Sequence, residues 1–204
     1  MDEPLCKECL SDAVLSVPPC PICGFPIRAE KPYCPSCLGK INFAGGTVYS
    51  CFRYKGTIRK LLLSIKFKYN IRSAATFHNI LKLPEDFNLN IYDAIVPVPS
   101  HFSRRFKRFY HPAEVAAKFL SSISGKPLLK ALVRNKRTVF QYKLKARDRK
   151  QNVIDAFTVY YDINMLNILL VDDIFTSGST LNECARILKS AGASLVDCFV
   201  IALD

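Results

Sequence analysis

The segment ILLVDDIFTSGSTLNECARILKSAGA, Ile168 to Ala193, constrains the fold of this chain more than any other. Ile168 to Val171 are apolar, the composition of a strand buried on both faces, and they run into two adjacent acids, Asp172 and Asp173. Small polar residues follow, and then a helix pattern from about Thr180 to Ser190 with Gly192 as its stop. A buried strand that feeds a helix through a short loop belongs to an α/β domain with a parallel sheet. In such sheets ligands lie beyond the carboxyl ends of the strands, and this loop falls there. The helix that follows directs unpaired N–H groups and a positive dipole end toward the loop, so an anion is expected. Neither G-x-x-x-x-G-K-[ST] nor G-x-G-x-x-G occurs, which weighs against nucleoside triphosphates and dinucleotides. A phosphate cradle without lysine remains, preceded by two carboxylates suited to sugar hydroxyls.

The rest of the chain beyond residue 45 has the same alternation. GTIRKLLLSIKF places Ile58, Leu61, Leu62 and Ile65 on one helical face, with Arg59, Lys60 and Lys66 outside. DAIVPVP reads as a short buried strand, and PAEVAAKFLSSIS as a helix that starts at Pro112 with Val115 and Phe119 one turn apart. KPLLKALV is a further candidate strand, NILLVDD a central one, and SLVDCFVIAL the last.

The first 45 residues differ. They contain three C-x2-C pairs, Cys6/Cys9, Cys20/Cys23 and Cys34/Cys37. CPICGFPIRAEKPYCPSC has zinc-ribbon spacing, with Gly24 able to supply the permissive backbone a knuckle needs after its second ligand. Cys20, Cys23, Cys34 and Cys37 are therefore the expected ligands of one structural zinc, because four thiolates leave no coordination position open for substrate. Cys6 and Cys9 are left without an assigned role. A segment this short also needs such a staple to hold a fold. The expected organisation is a zinc-ribbon domain over residues 1–45 and an α/β domain over residues 46–204. Cys51, Cys184 and Cys198 lie in apolar patterns and read as small core residues.

Charge is unevenly distributed along the chain. Residues 49–151 hold 23 of the 29 Lys and Arg against five acids, whereas residues 152–204 hold two basic residues against seven acidic ones. A basic middle segment points to a polyanion, with nucleic acid ahead of an anionic membrane surface. Two stretches interleave cations with aromatic rings. SRRFKRFYH brings Arg104, Arg105, Lys107 and Arg108 beside Phe102, Phe106, Phe109 and Tyr110. RNKRTVFQYKLKARDRK brings Arg134, Lys136, Arg137, Lys143, Lys145 and Arg147 beside Phe140 and Tyr142. Cations track phosphates and rings stack on unpaired bases, a combination that fits single-stranded better than duplex nucleic acid. The acidic start MDEPLCKECL and the lack of a long apolar run lead to an expected cytoplasmic location, with the inner face of the membrane as a second one.

LLVDDIFTSGST closely resembles the phosphoribosyl pyrophosphate (PRPP) loop of type I phosphoribosyltransferases. The resemblance implies that Asp172 and Asp173, the positions at the centre of any catalysis, engage the ribose hydroxyls. It further implies that Thr176, Ser177, Gly178, Ser179 and Thr180 wrap the 5′-phosphate, with Mg²⁺ accompanying the diphosphate. Over nearly its whole length the chain resembles the ComF/ComFC proteins, which are competence-associated and phosphoribosyltransferase-like. The cysteine pairs, YKGTIRKLLLSIKFK, IVPVPS, an arginine-rich turn, RTVFQYKLKARDRKQNVIDAF and the PRPP loop follow in that family's order. Gln141, Arg149, Asn152 and Phe157 match its Q…R…N…F signature. The implied fold is a type I phosphoribosyltransferase-like parallel sheet flanked by helices. The implied role is the handling of incoming single-stranded DNA during natural transformation, with PRPP as ligand. Other competence proteins and the cytoplasmic membrane face are further candidate partners. A metabolic phosphoribosyltransferase acting on a small base or amine is the alternative. No segment identifies a hood for such an acceptor, and His78, His101 and His111 are isolated.

Overall fold

The computed structural model describes residues 43–67, 87–99, 111–135 and 156–204, together with positions 20, 80, 81, 83 and 84. Its centre is a parallel sheet of four strands. These are β1 (Val48–Arg53), β2 (Ala94–Pro97), β5 (Asn167–Phe175) and β6 (Leu195–Leu203), in the order β1-β6-β5-β2. Leu128 extends the β2 edge through a parallel bridge to Ile95. The two central strands are the chain's most continuous apolar runs. Strand β6 is buried from Val196 to its end, as a strand covered by helices on both faces requires.

Helices α1 (Gly56–Phe67) and α2 (Pro112–Ser124) cover one face. Ile58, Leu62 and Ile65 of α1 recur at helical spacing and are fully buried, while Arg59 and Lys60 face solvent. Helix α2 starts at Pro112, as expected, and ends at Gly125, whose left-handed φ of 70° closes it with an N–H bond to Ser121. Its most buried residues are small ones. Ala113, Ala116, Ala117 and Leu120 point inward, and Val115 and Phe119 flank them. Small alanines let the helix backbone lie close over β2 and β5, where the bulkier pair would hold it away.

The opposite face is covered by α3 (Ser179–Ser190) and by a two-stranded antiparallel ribbon, β3 (Leu132–Arg134) with β4 (Phe157–Val159). Leu181, Cys184, Ala185 and Leu188 of α3 pack on Leu170, Cys198 and Val200, and Leu132 and Phe157 close the layer from the ribbon. Of KPLLKALV only the last part is regular strand, and it pairs outside the main sheet.

The parallel sheet with helices on both faces fits the type I phosphoribosyltransferase-like α/β fold. Among the described residues no helix is long and apolar enough to cross a membrane.

Candidate functional site: the β5–α3 junction

Strand β5 is longer than the sequence pattern indicates. It continues through both acids to Phe175, with Asp172 opposite Val200, Ile174 opposite Ala202 and Phe175 opposite Leu203. Asp172 and Asp173 are half-buried strand residues near the carboxyl edge, and the loop proper is Thr176 to Gly178. The inward and outward alternation of β5 shifts by one residue across the acid pair. Leu169 and Val171 belong to the α1/α2 layer, and so does Ile174, whereas Leu170 and Phe175 belong to the α3 layer. The neighbours shift at the same level, since Ile201 and Ala202 of β6, and Cys51 and Phe52 of β1, fall in consecutive pairs into the α1/α2 layer. The pairing offset is the same on either side of that level. The acids therefore occupy the level where three strands change phase together.

Asp172 lies on the α3 side. Burial pushes the Cys184 and Cys198 thiols well above their usual range, and the Asp172 carboxylate is one of the charges that raise both further. Oδ1 of Asp172 accepts from the Asp173 amide at 2.8 Å.

The turn that follows is set by Gly178. Its φ of 69° is left-handed, and a Cβ there would stand 2.7 Å from the Phe175 ring, so both conformation and space select glycine. From this position Gly178 caps α3, its carbonyl accepting from the Asn182 amide at 2.8 Å. The Ser177 and Ser179 hydroxyls lie 2.9 Å apart on either side of it. Two carboxylates at a strand end, a glycine whose side a methyl would fill, paired hydroxyls and a helix N-terminus form a donor set that fits a phosphorylated sugar. The carboxylate pair also suits Mg²⁺, which takes hard oxygen ligands.

The other strands bring their ends to this edge. Val98 donates to the Val171 carbonyl at 2.8 Å, which carries the β2 chain to the level of Asp172 just before the first basic stretch begins in sequence. Tyr54 donates to Leu203 at 2.7 Å and Asp204 to Phe175 at 3.0 Å. On the ribbon, Asn135 donates to Ala156 at 2.9 Å, so the two ends of the segment holding most of the second basic stretch are clamped side by side.

Arg134 departs from its expected place on a nucleic-acid surface. Strand β3 alternates with Leu132 and Arg134 inward and Val133 outward, and the Arg134 guanidinium is buried 5.3 Å from the centre of the Phe157 ring. Packing against an aromatic face takes it out of reach of a solvent-borne strand. Arg104, Arg105, Lys107, Arg108, Lys136, Arg137, Lys143, Lys145 and Arg147 lie outside the described residues. So do the interleaved aromatic residues of both stretches, as well as Gln141, Arg149 and Asn152. Of the expected zinc ligands, Cys23, Cys34 and Cys37 lie outside them, while Cys20 is buried in the α3-side layer with Cys184 and Cys198. Among the described residues no three His, Cys, Asp or Glu side chains cluster as a metal site.

Sequence reasoning did not single out Asn182. Its side-chain oxygen accepts from the Ala44 amide at 2.8 Å, and no motif signals that contact.

A family model described as phosphoribosyl transferase domain matches residues 125–204, which include β5, the loop and α3. The chain is 29% identical to competence protein F of Haemophilus influenzae over 207 residues, with 97% of this chain and 90% of that protein covered. It is 28% identical to the DNA utilization protein YhgH of Salmonella typhimurium, with 94% and 87% covered. Identity to competence protein ComFC of Bacillus subtilis is 25%, with 98% and 84% covered.

Proposed function

We propose, from the premise that this chain belongs to the ComF family of phosphoribosyltransferase-like proteins, that it handles incoming single-stranded DNA and binds PRPP at the β5–α3 junction. The observation that carries the ligand half is the junction itself, where Asp172 and Asp173 stand near the carboxyl end of β5, before a glycine-capped helix. In this reading Asp172 and Asp173 hold the ribose hydroxyls, and Thr176 to Thr180 surround the 5′-phosphate. Mg²⁺, when bound, neutralises diphosphate charge. The protein's own residues orient the sugar and exclude water from it.

The DNA half is supported by the names of the relatives and by the charge of residues 49–151. The first basic stretch follows Val98 and Pro99, which reach the level of Asp172, and the second is flanked by the paired Asn135 and Ala156 of the ribbon. A zinc held by Cys20, Cys23, Cys34 and Cys37 belongs to the same proposal as a structural element, since thiolates at this spacing fit tetrahedral zinc.

The test measures affinity for a single-stranded oligonucleotide with and without PRPP and Mg²⁺, across a salt series. We expect a log-log salt slope of about −0.7 per phosphate neutralised and an affinity that changes when PRPP is present. Absence of DNA binding at low salt contradicts the reading. Efficient turnover of PRPP with a base or amine acceptor would replace it with a metabolic transferase.

A further inference from the structure

The chain segment that enters the α/β body, residues 43–47, is fixed at several points in sequence. Gly46 donates to the Val196 carbonyl at 2.8 Å, Thr47 donates to Oδ1 of Asp197 at 2.7 Å, and the Thr47 carbonyl accepts from Cys198 at 2.8 Å. Gly45 and Gly46 lie so close to β6 that added Cβ atoms would crowd the Val196 carbonyl oxygen and meet the Asp197 carboxylate. Phe43 and Ala44 pack against the layer formed by α3. This strap is thus held on β6, and it makes a directional contact with the helix that follows the phosphate loop, the Ala44 amide donating to Oδ1 of Asn182.

Asn182 occupies a distinctive position in α3. Its own amide makes the first helical bond, to the Gly178 carbonyl, so it closes the turn on which the loop is built. Its side chain is tied to a segment 138 residues away. The same residue therefore holds the cradle from below and is held by the strap from outside. We propose that Asn182 is a positioning residue for the phosphate loop. The Ala44 amide indexes the first turn of α3 on the strap, so ligand binding at the loop and the order of residues 43–47 are coupled. This rests on the phosphoribosyl reading of the junction. The physical basis is short range: a shift of the first turn moves the N–H groups that meet a phosphate, and removal of one acceptor leaves the partly buried Ala44 amide unsatisfied. Coupling is reciprocal, so the ligand must steady the strap as much as the strap steadies the site.

The experiment uses the full chain and PRPP with Mg²⁺ as probe. Asn182→Leu keeps the branching of the side chain and removes the acceptor, and we expect PRPP to bind about tenfold more weakly, the scale of one lost hydrogen bond in such a site. Ser121→Ala serves as the control, because it breaks a partly buried bond to the Lys126 carbonyl at the end of α2 without touching α3 or the strap. It is expected to lower stability and leave PRPP affinity unchanged. A purely structural Asn182 would behave like Ser121. If Asn182→Leu does not fold, hydrogen exchange on the wild-type protein decides the matter, with slower exchange at residues 43–47 on addition of PRPP as the expected result. Wild-type affinity in a folded Asn182→Leu protein, or exchange at the strap that ignores bound PRPP, overturns the proposal and leaves the ligand site standing. Failure of the wild-type protein to bind PRPP overturns the site and the proposal together.

Discussion

The Tyr92 hydroxyl donates to Oδ2 of Asp197 at 2.9 Å, in a buried contact between residues 105 apart in sequence. Asp197 interrupts the apolar run of β6, and it is tolerated there because its other oxygen accepts from the Thr47 amide. Tyr92→Phe leaves a buried carboxylate with one partner fewer, so urea unfolding should show a loss of about 1.5 to 3 kcal/mol, the range for hydrogen bonds to charged groups. An unchanged midpoint would mean that the contact contributes nothing net.

The same tyrosine and the buried thiols set an alkaline limit on stability. Burial pushes Tyr92 up, with the Asp197 charge and hydrogen bond adding to it, and burial also pushes up Cys51, Cys184 and Cys198. Unfolded thiols ionise from about pH 8.5 and unfolded tyrosine from about pH 10, whereas the folded groups keep their protons. Above those values the unfolded state binds fewer protons than the native state, so stability falls as pH rises. Denaturation midpoints between pH 7 and 10.5 should decline from about pH 8.5 upward, and Cys198→Ala should flatten the decline. A flat profile would contradict the burial of these groups. Native protein should also leave all three thiols unalkylated.

Gly178→Ala places a methyl against the Phe175 ring at a left-handed φ of 69°. The strain is about 1 kcal/mol from the backbone alone, with the clash in addition. The expected outcome is a folded protein with PRPP affinity weakened tenfold or more in calorimetric titration. Retained affinity would show that this turn does not shape the phosphate site.

Much of this fold was legible because hydrophobic period reports burial directly. Ile58, Leu62 and Ile65 announced α1, and the apolar runs before Asp172 and up to Leu203 announced the two central strands. Where period and packing part company the sequence misleads. Val115 and Phe119 are the more hydrophobic pair in α2, yet alanines form its inner face because helix-to-sheet distance decides the contact. Strand β1 was not read as a strand, since VYSCFR mixes polar and apolar residues without clean alternation. Arg134 counted as surface by charge until the strand parity turned it inward over Phe157. The residue types of the candidate site were readable as a motif. Its phase shift across Asp172 and Asp173, and the tie from Asn182 to Ala44, depend on neighbours distant in the chain and leave no local trace.

The cysteine-rich segment yields its own prediction. Freshly prepared, reduced protein should contain about one zinc per chain by elemental analysis, because the C-x2-C-x10-C-x2-C spacing supplies four thiolates for a single tetrahedral site. Cys20→Ser should lose the metal and lower the unfolding temperature, since structural zinc binding is folding energy. A protein free of zinc would remove the ribbon from the account.

The central claim is that the β5–α3 junction binds a phosphoribosyl ligand, and calorimetric titration of PRPP with Mg²⁺ into the wild-type protein and into the double variant Asp172→Ala/Asp173→Ala tests it most directly. Both acids are only half-buried, near the carboxyl end of β5, so the double variant should keep its fold by circular dichroism. The account predicts saturable binding to the wild-type protein and none detectable to the variant. Equal affinity in a folded double variant would place the ligand elsewhere on the protein and contradict the claim.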